Sequence, residues 1–197
     1  MRLLCGNGVM MNSEIEMSEI EIIDPITDDH VQKAVEMDHA AFRYEDWISE
    51  EDAVLIYRIK RNCLIWLTQN DEPAGFVTVF PLNKTVAARA VGENKPMYKL
   101  LTEDVLEDPA TDILYCHCFL LLSRFRGKGL IYKLYEGLGL WLEKNGVRYS
   151  RLYADAVSPE GQRCLERLGF NPVHSFGANG TLYKADKEDV LNAIIRR

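Results

Sequence analysis

Apolar and polar residues alternate from Glu19 to Asp24 (EIEIID), the period-two pattern of a half-buried strand. Thr27, followed by Asp28 and Asp29, then opens a helical pattern that runs to about Ala41. Ser49 with Asp52 three residues later resembles a capping box and predicts a second helix, Glu50 to about Arg61. Asn62 to Gln69 (NCLIWLTQ) is rich in strand formers, the turn NDEP follows, and Ala74 to Phe80 (AGFVTVF) predicts its hairpin partner. The pattern weakens over residues 83–111. There Pro96 can open a helix to about Leu106, Pro109 stops anything after it, and the segment reads equally as a lid, a dimer contact or a surface excursion. Ile113 to Leu122 predicts a long apolar strand, Gly129 to Lys144 a helix closed by Asn145 and Gly146, and Tyr149 to Ala156 another strand. A strand, a crossover helix and a strand in this order imply a parallel pair. Ser158 as N-cap, Pro159 and Glu160 start a helix to Leu168 that Gly169 stops. Asn171 to Phe176, the turn GANG and Thr181 to Ala185 form a final hairpin. Asp186 then caps a last helix from Lys187, whose negative end suits Arg196 and Arg197.

The chain has 197 residues, 47% of them hydrophobic and 27% charged, without repeats or Gly/Ser-rich linkers. That amount of apolar sequence supports one substantial core, so a single α+β domain over residues 18–197 is expected, with residues 1–17 as a flexible leader. The leader lacks the apolar stretch of a secretory signal, and no run approaches the roughly 20 apolar residues of a membrane span. Five cysteines at positions 5, 63, 116, 118 and 164 follow no framework spacing, which fits reduced thiols and a cytoplasmic location. Cys116, His117 and Cys118 invite a metal reading. On a regular strand, however, both thiols would point away from the imidazole, so no metal site is expected. A net charge of −7 disfavours nucleic acid as a partner and suits a cationic amine.

Arg126, Gly127, Lys128 and Gly129 lie between the apolar strand and a helix whose Leu130, Leu134, Leu138, Trp141 and Leu142 recur at helical spacing. Glycines here let the backbone turn tightly against a phosphate, the first N–H groups of the helix point outward, and the helix dipole adds positive potential. Arg126 and Lys128 add full charges. The arrangement is a cradle for a polyanion.

The stretch LLLSRFRGKGLIYKLYEGLGLWLEKNG resembles the cofactor-binding motif of the GNAT superfamily of N-acetyltransferases. That motif is Arg or Gln, two residues, Gly, one residue, then Gly or Ala; Arg126 and Gly129 match it and Ile131 departs from it. SPEGQRCLERLGF resembles the family's later helix ending in Gly-Phe, and the order of elements matches over about residues 19–185. The resemblance implies a mixed, mostly antiparallel sheet flanked by helices, with a splayed parallel strand pair, Ile113 to Leu122 and Tyr149 to Ala156. Acetyl-CoA would lie in the splay as co-substrate. Leu121 would offer main-chain groups to the pantetheine, residues 126–131, Leu130 and Ile131 included, would hold the pyrophosphate, and Phe119 and Ser158 would complete the cofactor side.

Acetyl transfer needs a neutral nitrogen, and an alkylamine with a pKa near about 10.4 arrives protonated. His117 titrates in the useful range and, by strict alternation, shares a face with Leu121 four residues on. A histidine at the matching strand position serves as base in the arylalkylamine N-acetyltransferases that this chain resembles. His117 is therefore the expected base, with Tyr115 beside it on the water path; the alternative is an imidazole satisfied by packing. The family's general-acid tyrosine corresponds to Leu165, the asparagine common at the helix start corresponds to Ser158, and Tyr153 and Tyr183 are weak substitutes. Cys164 reads as a small buried hydrophobe rather than a nucleophile, which favours direct transfer in a ternary complex. Glu45, Asp46, Glu50, Glu51 and Asp52 form either a solvated face or an attraction for a cationic acceptor. The acceptor is a small-molecule or peptide amine, with no role for membrane; a homodimer is left open. The competing reading is a non-catalytic acyl-CoA-binding or sensor module, to which Leu165 and Ile131 point.

Overall fold

The computed structural model describes residues 20–42, 49–101, 112–126, 129–146, 149–178 and 180–195. Residues 1–17, where the leader is expected, lie outside that set, as do Glu45, Asp46, residues 102–111 with Pro109, Gly127, Lys128, Arg196 and Arg197.

Seven strands form one sheet in the order β1-β2-β3-β4-β5-β7-β6, with β1 Ile20–Ile23, β2 Leu64–Gln69, β3 Glu72–Leu82, β4 Ile113–Leu121, β5 Arg151–Ala156, β6 Asn171–Phe176 and β7 Gly180–Asp186. Every neighbouring pair is antiparallel except β4 with β5. The helices are α1 Asp28–Ala41, α2 Glu50–Ile59, α3 Lys84–Gly92, α4 Ile131–Lys144, α5 Pro159–Arg167 and α6 Lys187–Ile195. The β2–β3 turn takes left-handed backbone at Asn70 and Asp71, two residue types that tolerate it, so β3 resumes at once and is longer than expected. Asp186 ends β7 and faces Arg151 across the sheet at 3.8 Å.

Within the segment 83–111, the described residues 83–101 depart from expectation. The helix there is α3, started by the Asn83 side chain accepting from the Thr85 N–H, whereas Pro96 opens only a short 3-10 turn over Met97–Leu100. The Asn83 cap before an alanine-rich run was a readable signal.

Two helical layers cover the sheet. On one face α2 packs Tyr57 on Phe76 and Phe80 of β3, α1 sets the His30 ring 5.3 Å from that of Trp66 of β2, and Trp66 stacks on Phe76. On the other, α4 buries Leu134 against Leu67 and Leu121, and Trp141 Nε1 donates to the Asn62 carbonyl at 2.8 Å. Gly137 makes this close approach feasible, because a Cβ there would sit 2.7 Å from the Ile65 side chain. The contact fixes α4, and with it the helix start after β4, against the sheet.

One irregularity controls the site. β3 pairs Thr78 with Cys118 and Val79 with Cys116, which leaves His117 as an extra residue, a β-bulge. Strict alternation therefore fails here. His117 and Cys118 both project to the α1/α2 side, His117 among Tyr57 and Phe80 and Cys118 toward Asp38 of α1. Leu121 packs on the α4 side. Two expectations are thereby corrected: His117 and Leu121 do not share a face, and Cys118 does not point away from the imidazole.

Candidate active site

β4 and β5 pair only from Ile113 with Arg151 to Cys116 with Ala154. Beyond that point β4 runs on to Leu121 while Asp155 and Ala156 pair solely with β7, so the two parallel strands separate. A cavity of about 630 Å³ occupies the splay. Of the expected site residues, His117, Phe119, Leu121, Arg126, Gly129, Leu130, Ile131 and Ser158 all line it.

One wall comes largely from the end of β4 and the start of α4, with Phe119, Leu120, Leu121, Arg126, Gly129, Leu130 and Ile131. Gly129 takes φ +77°, a left-handed turn that glycine adopts without strain, and α4 begins two residues later. Helices α1, α2, α3 and α5 each start with a side-chain cap, from Thr27, Ser49, Asn83 and Ser158. α4 has no side-chain cap and no acidic residue in its first turn, so its positive end is left for an anion. Arg126 Nε donates to the Leu121 carbonyl at 2.8 Å, which engages one main-chain group of Leu121 and holds the guanidinium at the end of β4. Arg163 and Arg167 of α5 also line the cavity, Arg163 paired at 2.8 Å with Glu160, which lines it too. The Ser158 hydroxyl accepts from the Gly161 N–H at 3.1 Å and thereby caps α5.

The opposite wall is assembled from distant segments. The Thr78 hydroxyl lies 3.1 Å from His117 Nδ1, accepts from the Cys118 N–H at 3.1 Å and also bonds the buried Tyr57 phenol. Burial lowers the His117 pKa to about 4, so the imidazole is neutral at pH 7. Tyr115 is fully buried behind this wall and does not line the cavity; its ring lies 6.0 Å from that of His117, and its hydroxyl donates to Asp155 Oδ2 at 2.8 Å. Burial raises the Tyr115 phenol well above its ordinary value and the Asp155 carboxyl to about 6. The Cys118 thiol donates to Asp38 Oδ1 at 3.4 Å. Burial and that carboxylate push the thiol up strongly, which disfavours a thiolate nucleophile there.

Cys164 is half-buried, lines the cavity and lies 2.9 Å from the Tyr135 hydroxyl of α4. Leu165 occupies the buried position expected of the family's tyrosine, while Tyr153 and Tyr183 do not line the cavity; the Tyr183 hydroxyl donates to Glu166 at 3.3 Å. Glu51 and Asp52 are exposed and away from the cavity. Among the described residues three acids line it, Asp38, Asp155 and Glu160; of these Asp38 and Asp155, with the tyrosines Tyr98 and Tyr135, were missed in the sequence. A signal existed: Asp38 interrupts the apolar stripe of α1, and Asp155 is the single acid within the strand RLYADA.

The sequence model of the acetyltransferase (GNAT) family matches residues 31–170. No curated relative is found by sequence comparison. Among solved structures, an acetyltransferase from Thermus thermophilus is 17% identical, with 85% of this chain and 96% of that chain covered and a TM-score of 0.52. An acetyltransferase from Streptococcus agalactiae is 13% identical, covering 85% and 98%, with a TM-score of 0.57. The C-terminal condensation domain of Ebony, solved with beta-alanyl-dopamine, is 12% identical, covering 86% and 100%, with a TM-score of 0.55. The family match spans both strands of the splay, the uncapped start of α4 and the helix ending in Gly169 and Phe170, and the chain belongs to the acetyltransferase (GNAT) family of acyl-CoA-dependent transferases.

Proposed function

We propose that this protein is an N-acetyltransferase that moves the acetyl group of acetyl-CoA to a primary amine by direct transfer in a ternary complex. The observation that carries the reading is the strand splay, with an uncapped helix start on one side and a neutral, half-buried histidine on the other. Backbone N–H groups at the start of α4, with Arg126, would hold the pyrophosphate. The pantetheine would follow β4 past Phe119 and Leu121. Ile131 retains the backbone N–H that such a contact uses.

His117 acts as base in the tautomer that keeps its proton on Nδ1. Nδ1–H then donates to Thr78, which passes its own hydroxyl proton toward Tyr57, and Nε2 presents a lone pair. The amine arrives as an ammonium ion and loses one proton to Nε2. The freed nitrogen attacks the thioester carbonyl, a C–N bond forms and the C–S bond breaks. The second amine proton ends on the CoA thiolate, and the proton on His117 leaves to water. A thiol pKa near about 8.5 makes the thiolate a tolerable leaving group without a strong general acid, consistent with Leu165 at the tyrosine position. Tyr115, bonded to Asp155 and with its ring 6.0 Å from that of His117, serves as a positioning residue. The acceptor is a small-molecule or peptide amine.

The test is turnover: thiol release from acetyl-CoA on a panel of alkylamines and N-terminal peptides, with the acetylated product identified by mass. Amine-dependent release that His117→Ala abolishes, with acetyl-CoA affinity unchanged, supports the reading. Tight acetyl-CoA binding without turnover on any amine favours the sensor module instead.

A further inference from the structure

Leu82, the last residue of β3, stands directly opposite Ile113, the first of β4, and the Asp112 N–H bonds the Leu82 carbonyl at 3.1 Å, so a tight turn could join the two strands. Residues 83–112 intervene instead. The described part of this excursion, residues 83–101, is tied to the sheet by side chains at two points. Asp155 of β5, Leu182 of β7 and His174 of β6 are register partners in one row and therefore share a face. The bond from Tyr115, whose ring lies beside that of His117, makes it the α1/α2 face. At the edge of the sheet His174 Nε2 lies 2.9 Å from Asn94 Oδ1. At the splay Asp155 Oδ2 accepts from the Met97 N–H at 2.7 Å and the Tyr98 N–H at 3.4 Å, besides the Tyr115 hydroxyl at 2.8 Å. Residues 94–98 thus form a strap across β6, β7 and β5, fixed at both ends. Apolar contact alone, such as that of the buried Met97 and Leu100, would cover the sheet without fixing the path of the chain, because burial is not directional and hydrogen bonds are.

The strap brings Tyr98 to the cavity, which it lines together with His117 and Asp155. Lys99 is exposed and does not line the cavity, yet its Nζ lies 5.2 Å from the centre of the Tyr98 ring, so that ring is the partition between the cavity and the surface. We propose that residues 94–98 are a specificity element: Asp155 latches the strap, the latched Tyr98 ring is a wall of the acceptor half, and its position sets the bulk of acceptor that is admitted. This rests on the acetyltransferase reading of the cavity. Asp155 acts on the acceptor only through Tyr98 and is a positioning residue, whereas Tyr98 meets the acceptor itself. A carboxylate accepts N–H bonds more strongly than the neutral acid, so the latch is tightest with Asp155 ionised.

The experiment measures kcat/KM of the full chain for butylammonium, phenethylammonium and naphthylethylammonium, three acceptors of rising bulk, at saturating acetyl-CoA. Tyr98→Ala removes the ring and keeps the backbone N–H that Asp155 holds. The ratio of kcat/KM for naphthylethylammonium to that for butylammonium should rise about tenfold or more, the scale on which pocket size separates substrates, and Tyr98→Trp should lower it. A ratio that stays at the wild-type value in both variants, or moves the same way in both, overturns the proposal. Acetyl-CoA affinity should be unchanged in a calorimetric titration; a loss as large as the change in the ratio assigns Tyr98 to the cofactor and also overturns it. For the latch, Asp155→Ala should move the ratio as Tyr98→Ala does and speed hydrogen exchange at the Met97 and Tyr98 amides. Asp155→Asn, whose amide oxygen can accept the same two N–H groups, should restore both. An Asp155→Ala ratio equal to that of wild type, with turnover lowered alike on all three amines, marks a merely structural residue and overturns the latch. A wild-type protein that turns over none of the three defeats the acetyltransferase reading and this inference with it, whereas turnover with an unmoved ratio defeats this inference alone.

Discussion

The two walls of the cavity are built on different principles. The wall at the end of β4 and the start of α4, proposed for the cofactor, is built from backbone devices: a left-handed glycine, an uncapped helix start and an arginine folded onto the strand end. The opposite wall, proposed for the acceptor, gathers the side chains of Asp38 from α1, Tyr98 from the 3-10 turn, His117 from a bulge and Asp155 from β5. A backbone device is local, and a side-chain change such as Ile131 leaves its N–H groups in place. A side-chain constellation depends on long-range register, and a single inserted residue in β4 sets which groups meet.

If the walls are separable in this way, damage to one should leave the other intact. The largest effect is expected from His117→Ala, which should lower kcat by about 10²- to 10⁴-fold, the usual contribution of a general base, with acetyl-CoA affinity unchanged in a calorimetric titration. Gly129→Val is the reciprocal case. A β-branched residue at φ +77° is strained by roughly 1–2 kcal/mol, so acetyl-CoA affinity should fall about tenfold while phenethylammonium binding persists.

The pH profile sharpens the comparison on the acceptor side. Asp155 ionises near pH 6 and His117 is neutral down to about pH 4, so kcat/KM for an alkylamine should drop as pH falls through about 6 and again near 4. In Asp155→Asn the upper step should vanish. Stability should move the opposite way. With its pKa raised above the unfolded carboxylate value, folded Asp155 binds the extra proton between about pH 4 and 6, and its contribution to stability declines as pH rises through that window. Asp155→Asn should therefore be more stable than wild type at pH 8 by roughly 1–3 kcal/mol and close to it at pH 4 in urea unfolding. The smallest effect is expected away from both walls. Asn83→Ala should cost about 1 kcal/mol of stability through the α3 cap and leave both ligand affinities unchanged.

The same division explains what could be read in the sequence. The β4–α4–β5 unit was legible because strand, glycine turn and amphipathic helix are contiguous and each has its own period. The caps at Thr27, Ser49 and Ser158 were legible for the same reason. The bulge at His117 was not, because nothing in ILYCHCFLL distinguishes an inserted residue from a regular strand, and without it the faces of His117, Cys118 and Leu121 come out wrong. Asp38 and Asp155 looked like ordinary acids until α1 and β5 were brought to one cavity. Glu51 and Asp52, conspicuous in sequence, are exposed; Asp52 bonds Ser49 at 2.6 Å, as an N-terminal helix acid does.

The claim on which the rest depends is that the β4/β5 splay and the start of α4 hold acetyl-CoA. Calorimetric titration of the folded protein with acetyl-CoA, beside desulfo-CoA and dephospho-CoA, tests it most directly. Saturable one-to-one binding that Gly129→Val weakens about tenfold is the expected result. No heat of binding from a demonstrably folded sample would contradict it, and would reduce the glycine turn and uncapped helix to features of the fold alone.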